Sequence, residues 1–129
     1  LEPEDEKSRA MLIDLNLRLN QAVQALAELD NYIAYLLSTS QSKKALEFLT
    51  NLVQENAKQP AMHRRLGELY RQLGRANEAV EQLDVAADLF IRAGNSAAAV
   101  ETLITILALN PPGAAEYQQL LSKLQKEQK

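Results

Sequence analysis

The sequence has no cysteine and no tryptophan, and it holds only one histidine, four glycines and four prolines in 129 residues. Without cysteine, neither a disulfide framework nor a thiolate metal site is available. One histidine and no cysteine exclude most pairings of a nucleophile with a base. The longest apolar runs, such as YIAYLL and ILAL, are too short to span a bilayer. These absences favour an intracellular, cytoplasmic globular chain without a cofactor or a metal ion.

The charge balance also excludes some classes of function. The formal net charge is −3, and basic residues do not gather into a stripe along any segment. Because nucleic-acid binding needs a positive surface for the phosphates, a general DNA or RNA binder is disfavoured. The chain begins at Leu1 instead of Met, so we expect an excised or processed piece of a longer protein.

What the sequence does contain is alanine and leucine at helical spacing. From Glu4 to Gln59 there is neither Gly nor Pro, and apolar residues recur every three or four positions, which is typical of amphipathic helices. The pattern predicts an all-α fold of seven helices, or of six if Asn20 does not interrupt the first helix. STSQS, from Ser38 to Ser42, predicts a helix break because its residues favour caps and turns.

Helix-turn signals recur at a fixed offset along the chain. They lie at Asn20, Ser40, Gly74 and Gly94. Asn20 and Gly74 are 54 residues apart, as are Ser40 and Gly94. We call this separation the repeat offset. Small and apolar residues coincide when the chain is overlaid on itself with the repeat offset. We therefore predict one continuous domain with an N-terminal capping helix at 1–19 and two related three-helix modules at 20–73 and 74–127.

The stretch from Pro60 to Ile91 resembles the tetratricopeptide repeat, whose signature is W-x2-L-G-x2-Y, then A-x3-F, Ala and Pro in about 34 residues. The matching positions are His63, Leu66, Gly67, Tyr70, Gly74, Ala79, Leu83 and Ala86. A second match begins at Gly94, with Ala99, Leu103, Ile106 and Pro111. The resemblance implies a right-handed superhelical solenoid of antiparallel helix pairs.

The sequence departs from that signature at three positions. His63 replaces the large first residue and Leu83 replaces the aromatic residue. Ile91 stands where the closing Pro is expected, so we predict that this helix continues and serves both matches. We interpret His63 as a packing residue between helices.

Few residues are placed for catalysis. Asp84 and Asp88 are one helical turn apart and could share a cation, but a solvated helix face is the favoured interpretation because hard cations need several converging oxygens. No glycine-rich phosphate loop is present. The chain is therefore predicted not to be an enzyme.

The resemblance instead implies a groove, lined by the first helix of each repeat, that holds a peptide or a partner helix. Carried onto this chain, the outward positions are Arg64, Arg65, Glu68 and Arg71. Arginines on one face could bind carboxylates in bidentate fashion, so one hypothesis is a groove for an acidic peptide. The alternative is a solvated face whose charges are balanced by nearby glutamates.

The helix from Ala97 to Leu109 is apolar nearly all round, which predicts burial on more than one side. Packing between two neighbouring helices is the favoured explanation. The alternative is an interface with another subunit or domain through Ile104 and Leu107.

The favoured function is a non-catalytic protein–protein interaction module, a scaffold or adaptor with a protein or peptide partner and no nucleic-acid or membrane ligand. We expect it to be part of a larger bacterial cytoplasmic protein. The alternative is a structural self-association or spacer segment of a larger protein. An RNA-binding helical repeat ranks third, because no basic stripe supports it.

Overall fold

Helices account for the whole architecture. The structure, a computed structural model, describes residues 3–127. In that range the chain forms seven helices and no strand: α1 Pro3–Arg18, α2 Ala22–Ser38, α3 Ser42–Glu55, α4 Pro60–Gln72, α5 Ala76–Arg92, α6 Ser96–Ala108 and α7 Ala114–Glu127. The predicted all-α repeat fold class is confirmed. Asn20 does interrupt the first helical stretch, and α5 continues past Ile91 to Arg92.

Four helix–helix turns share one backbone geometry. The residues at their centres have left-handed φ angles: 59° at Asn20, 62° at Ser40, 76° at Gly74 and 77° at Gly94. In each turn the next residue donates its N–H to the carbonyl five positions back; Gln21 bonds to Asn16 at 2.7 Å. This arrangement satisfies carbonyls that the helix end leaves open. It occurs at all four predicted turn signals, so the backbone follows the repeat offset.

Burial follows the repeat offset as well. Alanines and leucines that coincide under this offset are buried at both positions: Ala25 and Ala79, Leu29 and Leu83, Ala45 and Ala99, and Leu49 and Leu103. Small residues allow helices to approach, and leucines fill the remaining space. The division into modules at 20–73 and 74–127 stays a prediction, because the repeat offset does not define where a module begins.

By compactness the chain divides within α3 into unit 1, residues 1–48, and unit 2, residues 49–129. In unit 1, α1 packs on α2. The Arg9 guanidinium lies 4.9 Å from the centre of the Tyr32 ring and forms an ion pair with Glu28 at 2.7 Å. Tyr32 meets Phe48 edge to face, with 4.8 Å between ring centroids. The buried apolar residues of unit 1 include Ile13, Ala25, Leu29 and Leu36.

In unit 2, α5 packs on both α4 and α6, and α6 packs on α7. The helix pair formed by α4 and α5 is the most extensive. It is close because Gly67 has no side chain: a Cβ there would lie 2.7 Å from Leu83 Cγ and 3.3 Å from the Ala79 carbonyl oxygen. Gly67 therefore has a packing role, because the predicted signature glycine leaves the space that Leu83 of α5 occupies.

We expect Gly67→Ala to lower the free energy of unfolding by about 1–2 kcal/mol, because overpacking against Leu83 exceeds the helix propensity that alanine gains. Urea unfolding followed by circular dichroism measures the change. In a Leu83→Ala background the clash is gone, so the same substitution should be neutral or stabilising. An equal loss in both backgrounds would rule out the contact with Leu83 as its cause.

Candidate functional site

The predicted partner-binding residues of α4 lie on its outer side, and the structure pairs their charges. Arg64 reaches Glu101 of α6 at 3.3 Å, and Arg71 bonds to Glu68 at 2.6 Å. At the next turn Arg75 donates to Glu78 at 2.7 Å, which is the main reason the pKa of Glu78 lies below its usual range. Exposed pairs of this kind add little stability, but they leave this face with little net positive charge.

His63 is buried, and both of its ring nitrogens have partners. Nε2 lies 2.7 Å from the Ala57 carbonyl oxygen and Nδ1 lies 2.9 Å from the Gln82 side-chain oxygen, Oε1. His63 thus ties the loop between α3 and α4 to α5, and both of its nitrogens are engaged.

A pocket lies between α5 and α7, and we call it the α5–α7 pocket. Its volume is about 330 Å³, near the lower end of the roughly 300–1,000 Å³ typical of ligand pockets. Its wall is formed by Asp84, Val85 and Asp88 of α5, Tyr117 and Leu120 of α7, and Ala57 of the loop that His63 holds. Leu103 of α6 also lines it. The pocket is mainly apolar, with carboxylates at one side.

Tyr117 connects the two helices that form the pocket. Its hydroxyl donates to Asp84 Oδ1 at 3.0 Å, across 33 residues of sequence. Partial burial is the main cause that raises the pKa of Tyr117, followed by the hydrogen bond and negative charge of Asp84 and the charge of Glu116. The pocket therefore combines partial exclusion of water with a negative potential.

Sequence reasoning missed this pocket. It considered Asp84 and Asp88 only as a solvated pair or as ligands of a shared cation, and it left Tyr117 unassigned. In the part of the chain that the structure describes, no three His, Cys, Asp or Glu side chains could together hold a metal ion. The sequence shows a tyrosine in the last helix and two aspartates one turn apart in α5. Only the tertiary structure shows that Tyr117 contacts Asp84.

The predicted interface residues of α6 differ in exposure. Ile104 is 50% exposed and Leu107 is half-buried. Because α6 packs on both α5 and α7, the expectation of burial on more than one side holds for Leu103 and Ile106, which are fully buried. Ile104 is exposed enough to take part in the interface that was the alternative, and that interface stays a prediction.

An apolar surface with more exposed residues than that of α6 lies on α1. Met11, Leu12 and Leu15 are 72%, 46% and 51% exposed, and with Ser8, Asp14 and Arg18 they line a shallow groove of about 500 Å³. Under the repeat offset, Leu12 and Leu15 correspond to Leu66 and Leu69 of α4. Those two leucines are 2% exposed, so the face that is covered in α4 is open in α1. Among the described helices, none has the length and apolar character needed to cross a membrane.

Comparison with known proteins supports the fold. The tetratricopeptide repeat family model matches residues 36–88, so the resemblance that the sequence suggested is confirmed. The structure is similar to PcrH from Pseudomonas aeruginosa with a TM-score of 0.53 and 15% identity, over 86% of this chain and 96% of that one. At this identity the similarity shows the fold alone.

A second solved structure is more distant. It is a kinesin-light-chain-type protein from Podosopora anserina with nearly identical TPR-like repeats, at a TM-score of 0.35 and 17% identity, covering 97% of this chain and 87% of that one. A search of curated proteins finds no match to this sequence.

We expect Tyr117 to titrate above the ordinary tyrosine pKa of about 10, and Asp84→Asn to lower that pKa because it removes the nearby negative charge. The difference in tyrosinate absorbance between the unsubstituted chain and Tyr117→Phe isolates this residue. The pKa of Tyr117 is higher in the folded than in the unfolded chain. The stability that this tyrosine contributes is therefore fully present below its unfolded pKa and is lost as pH rises through its folded pKa. Glu116→Gln should give a smaller shift, and an Asp84→Asn titration identical to that of the unsubstituted chain would contradict the assignment.

Proposed function

We propose that this chain, in which residues 36–88 match the tetratricopeptide repeat family model, is a non-catalytic module that binds a peptide or a partner helix of another protein. Helical repeats of this type generally mediate protein–protein interaction. The single observation that carries the proposal is the α5–α7 pocket, an open and mainly apolar cavity between two helices of the repeat. Pockets between helices are frequent binding sites because they remove apolar ligand surface from water.

A scaffold role agrees with what the side chains offer. His63 has hydrogen bonds at both ring nitrogens, and the described residues hold no cluster of potential metal ligands. The repeat family is typically non-catalytic. The predicted setting in a bacterial cytoplasm stays a prediction.

The polar face of α4 is the second surface proposed for the same function. Arg64, Arg65, Glu68 and Arg71 could extend a binding groove by exchanging their present partners for partner carboxylates, since exposed ion pairs are held weakly. The α5–α7 pocket ranks above it because an apolar cavity contributes binding energy that compensated surface charges lack.

Capture of a partner from native lysate tests both surfaces. We expect Leu120→Arg to reduce the amount of captured partner at least about tenfold, because the long side chain would occupy the pocket and exclude the partner from it. Gln119→Arg, at an exposed neighbouring position of α7, is the matched control and should leave capture unchanged.

A double variant, Arg64→Glu with Arg71→Glu, tests the face of α4 in the same assay. Circular dichroism should show unchanged helicity for all three variants. If each of them captures the same partner as the unsubstituted chain, neither surface mediates the interaction and the proposal fails.

Self-association is the second candidate function, and the exposed face of α1 favours it. Met11, Leu12 and Leu15 form an exposed apolar surface, and the counterparts of its two leucines in α4 are covered. Exposed apolar patches of this kind mark protein contacts. The occupant we propose is a second copy of this chain, and Ile104 with Leu107 provides a second candidate surface for the contact.

Sedimentation velocity from micromolar to millimolar concentration distinguishes the two functions. If self-association uses α1, the unsubstituted chain should form dimers and Leu12→Ser with Leu15→Ser should be monomeric, because polar side chains remove the apolar contact area. Ile104→Ser is the parallel variant for the face of α6. A strict monomer at the highest concentration excludes self-association.

A further inference from the structure

The chemistry of the α5–α7 pocket indicates which side chain it accepts. Its lining residues include two carboxylates, Asp84 and Asp88, and among the described residues that line it there is no Lys, Arg or His. Both aspartates are exposed and lie one turn apart on the same face of α5. The other groups of the wall are aliphatic or aromatic.

We infer that the α5–α7 pocket binds a Lys or Arg side chain presented by an extended partner segment, with an apolar residue of that segment beside it. The inference rests on the proposed function, since it names the class of partner for the same pocket. It differs from the acidic peptide predicted for the face of α4.

Lys and Arg fit because their side chains have two parts. Each has a methylene stem that can lie along apolar surface while its charged end stays among polar groups. In the pocket, Val85 and Leu120 provide the apolar surface, and Asp84 and Asp88 lie at the polar side. The neighbouring apolar residue of the partner would cover Val85, which is 39% exposed.

The present partners of the two carboxylates leave room for such a ligand. Asp84 accepts one hydrogen bond, from Tyr117, at one of its two oxygens. Asp88 pairs with Arg92 at 2.9 Å, but 57% and 75% of the two side chains are exposed, so the pair is weak and can exchange. A bound cation would gain from both charges, and the partly desolvated Tyr117 ring offers a further contact surface.

An acidic side chain of a partner is disfavoured in the α5–α7 pocket. Asp84, Asp88 and the nearby Glu116 would all repel a carboxylate, and the apolar wall would deprive it of hydration. A purely apolar side chain could enter, but it would leave the carboxylates without a ligand charge. The pocket should therefore discriminate by charge and by shape together.

Positional-scanning libraries of acetylated, amidated nonapeptides test the inference with the full chain. Pools with one position fixed as Arg, Lys, citrulline, norleucine or Glu are compared, because citrulline and norleucine are neutral analogues of Arg and Lys. We expect the Arg and Lys pools to bind with a dissociation constant at least about tenfold lower than that of their neutral analogues. Pools with Glu should bind most weakly.

Two double variants locate the charge effect. Asp84→Asn with Asp88→Asn should abolish the preference for Arg and Lys while circular dichroism stays unchanged. Glu47→Gln with Glu127→Gln makes the same change in net charge at exposed positions outside the pocket, and it should retain the preference.

The outcomes separate this inference from the proposed function. Peptide binding without a preference for Arg and Lys, or with a preference for Glu, overturns the inference and leaves the proposed function in place. A preference for Arg and Lys that survives Asp84→Asn with Asp88→Asn also overturns it, because the charge would then act elsewhere. If no pool binds at all, peptide binding itself fails and the inference fails with it.

Discussion

The left-handed residue at the centre of four of the helix–helix turns is the constraint on which the rest of the structure depends. A helix must stop before the chain can fold back, and its last carbonyls need partners when it does. Asn20, Ser40, Gly74 and Gly94 meet both needs with the same pair of backbone hydrogen bonds. Because the turns are alike, the residues that meet in the core recur at the repeat offset. The small residues at those positions, such as Ala25 and Ala79, are buried as a result.

Much of this fold could be predicted from the sequence, because it depends on local chemistry. Turn residues and helical spacing placed all four turns correctly, and Ile91 in place of a closing proline indicated that α5 continues. Contacts across long stretches of sequence could not be predicted in this way. The hydrogen bond from Tyr117 to Asp84 and the ion pair of Arg64 with Glu101 depend on the tertiary placement of the helices that carry them. The sequence offered both burial and an interface for the apolar residues of α6, and it could not decide between them for Ile104, since an apolar composition does not specify which side of α6 its neighbours cover.

The structure gives the charged residues of α4 and α5 different surroundings from those that the sequence suggested. The arginines of α4 drew attention because several of them lie on one helix, yet Arg64 and Arg71 are paired with carboxylates of the same chain. The aspartates of α5 looked like an ordinary solvated face. They border a pocket whose apolar wall strengthens the effect of their charge, since electrostatic interactions are stronger where water is partly excluded. A residue's neighbours therefore decide whether its charge is available to a partner.

The position of α5 between α4 and α6 has a consequence for how unit 2 comes apart. Gly67 brings α4 against Ala79 and Leu83 on one side of α5, and the core residues Leu103 and Ile106 belong to the cluster shared with α6. Separating α5 from either neighbour exposes apolar surface that the other neighbour cannot cover. In a helical repeat, such shared interfaces couple adjacent elements so that they open together. The backbone amides of α4, α5 and α6 should therefore exchange hydrogen with solvent through one cooperative opening. Because α5 packs on both neighbours, its amides should be the slowest to exchange in unit 2.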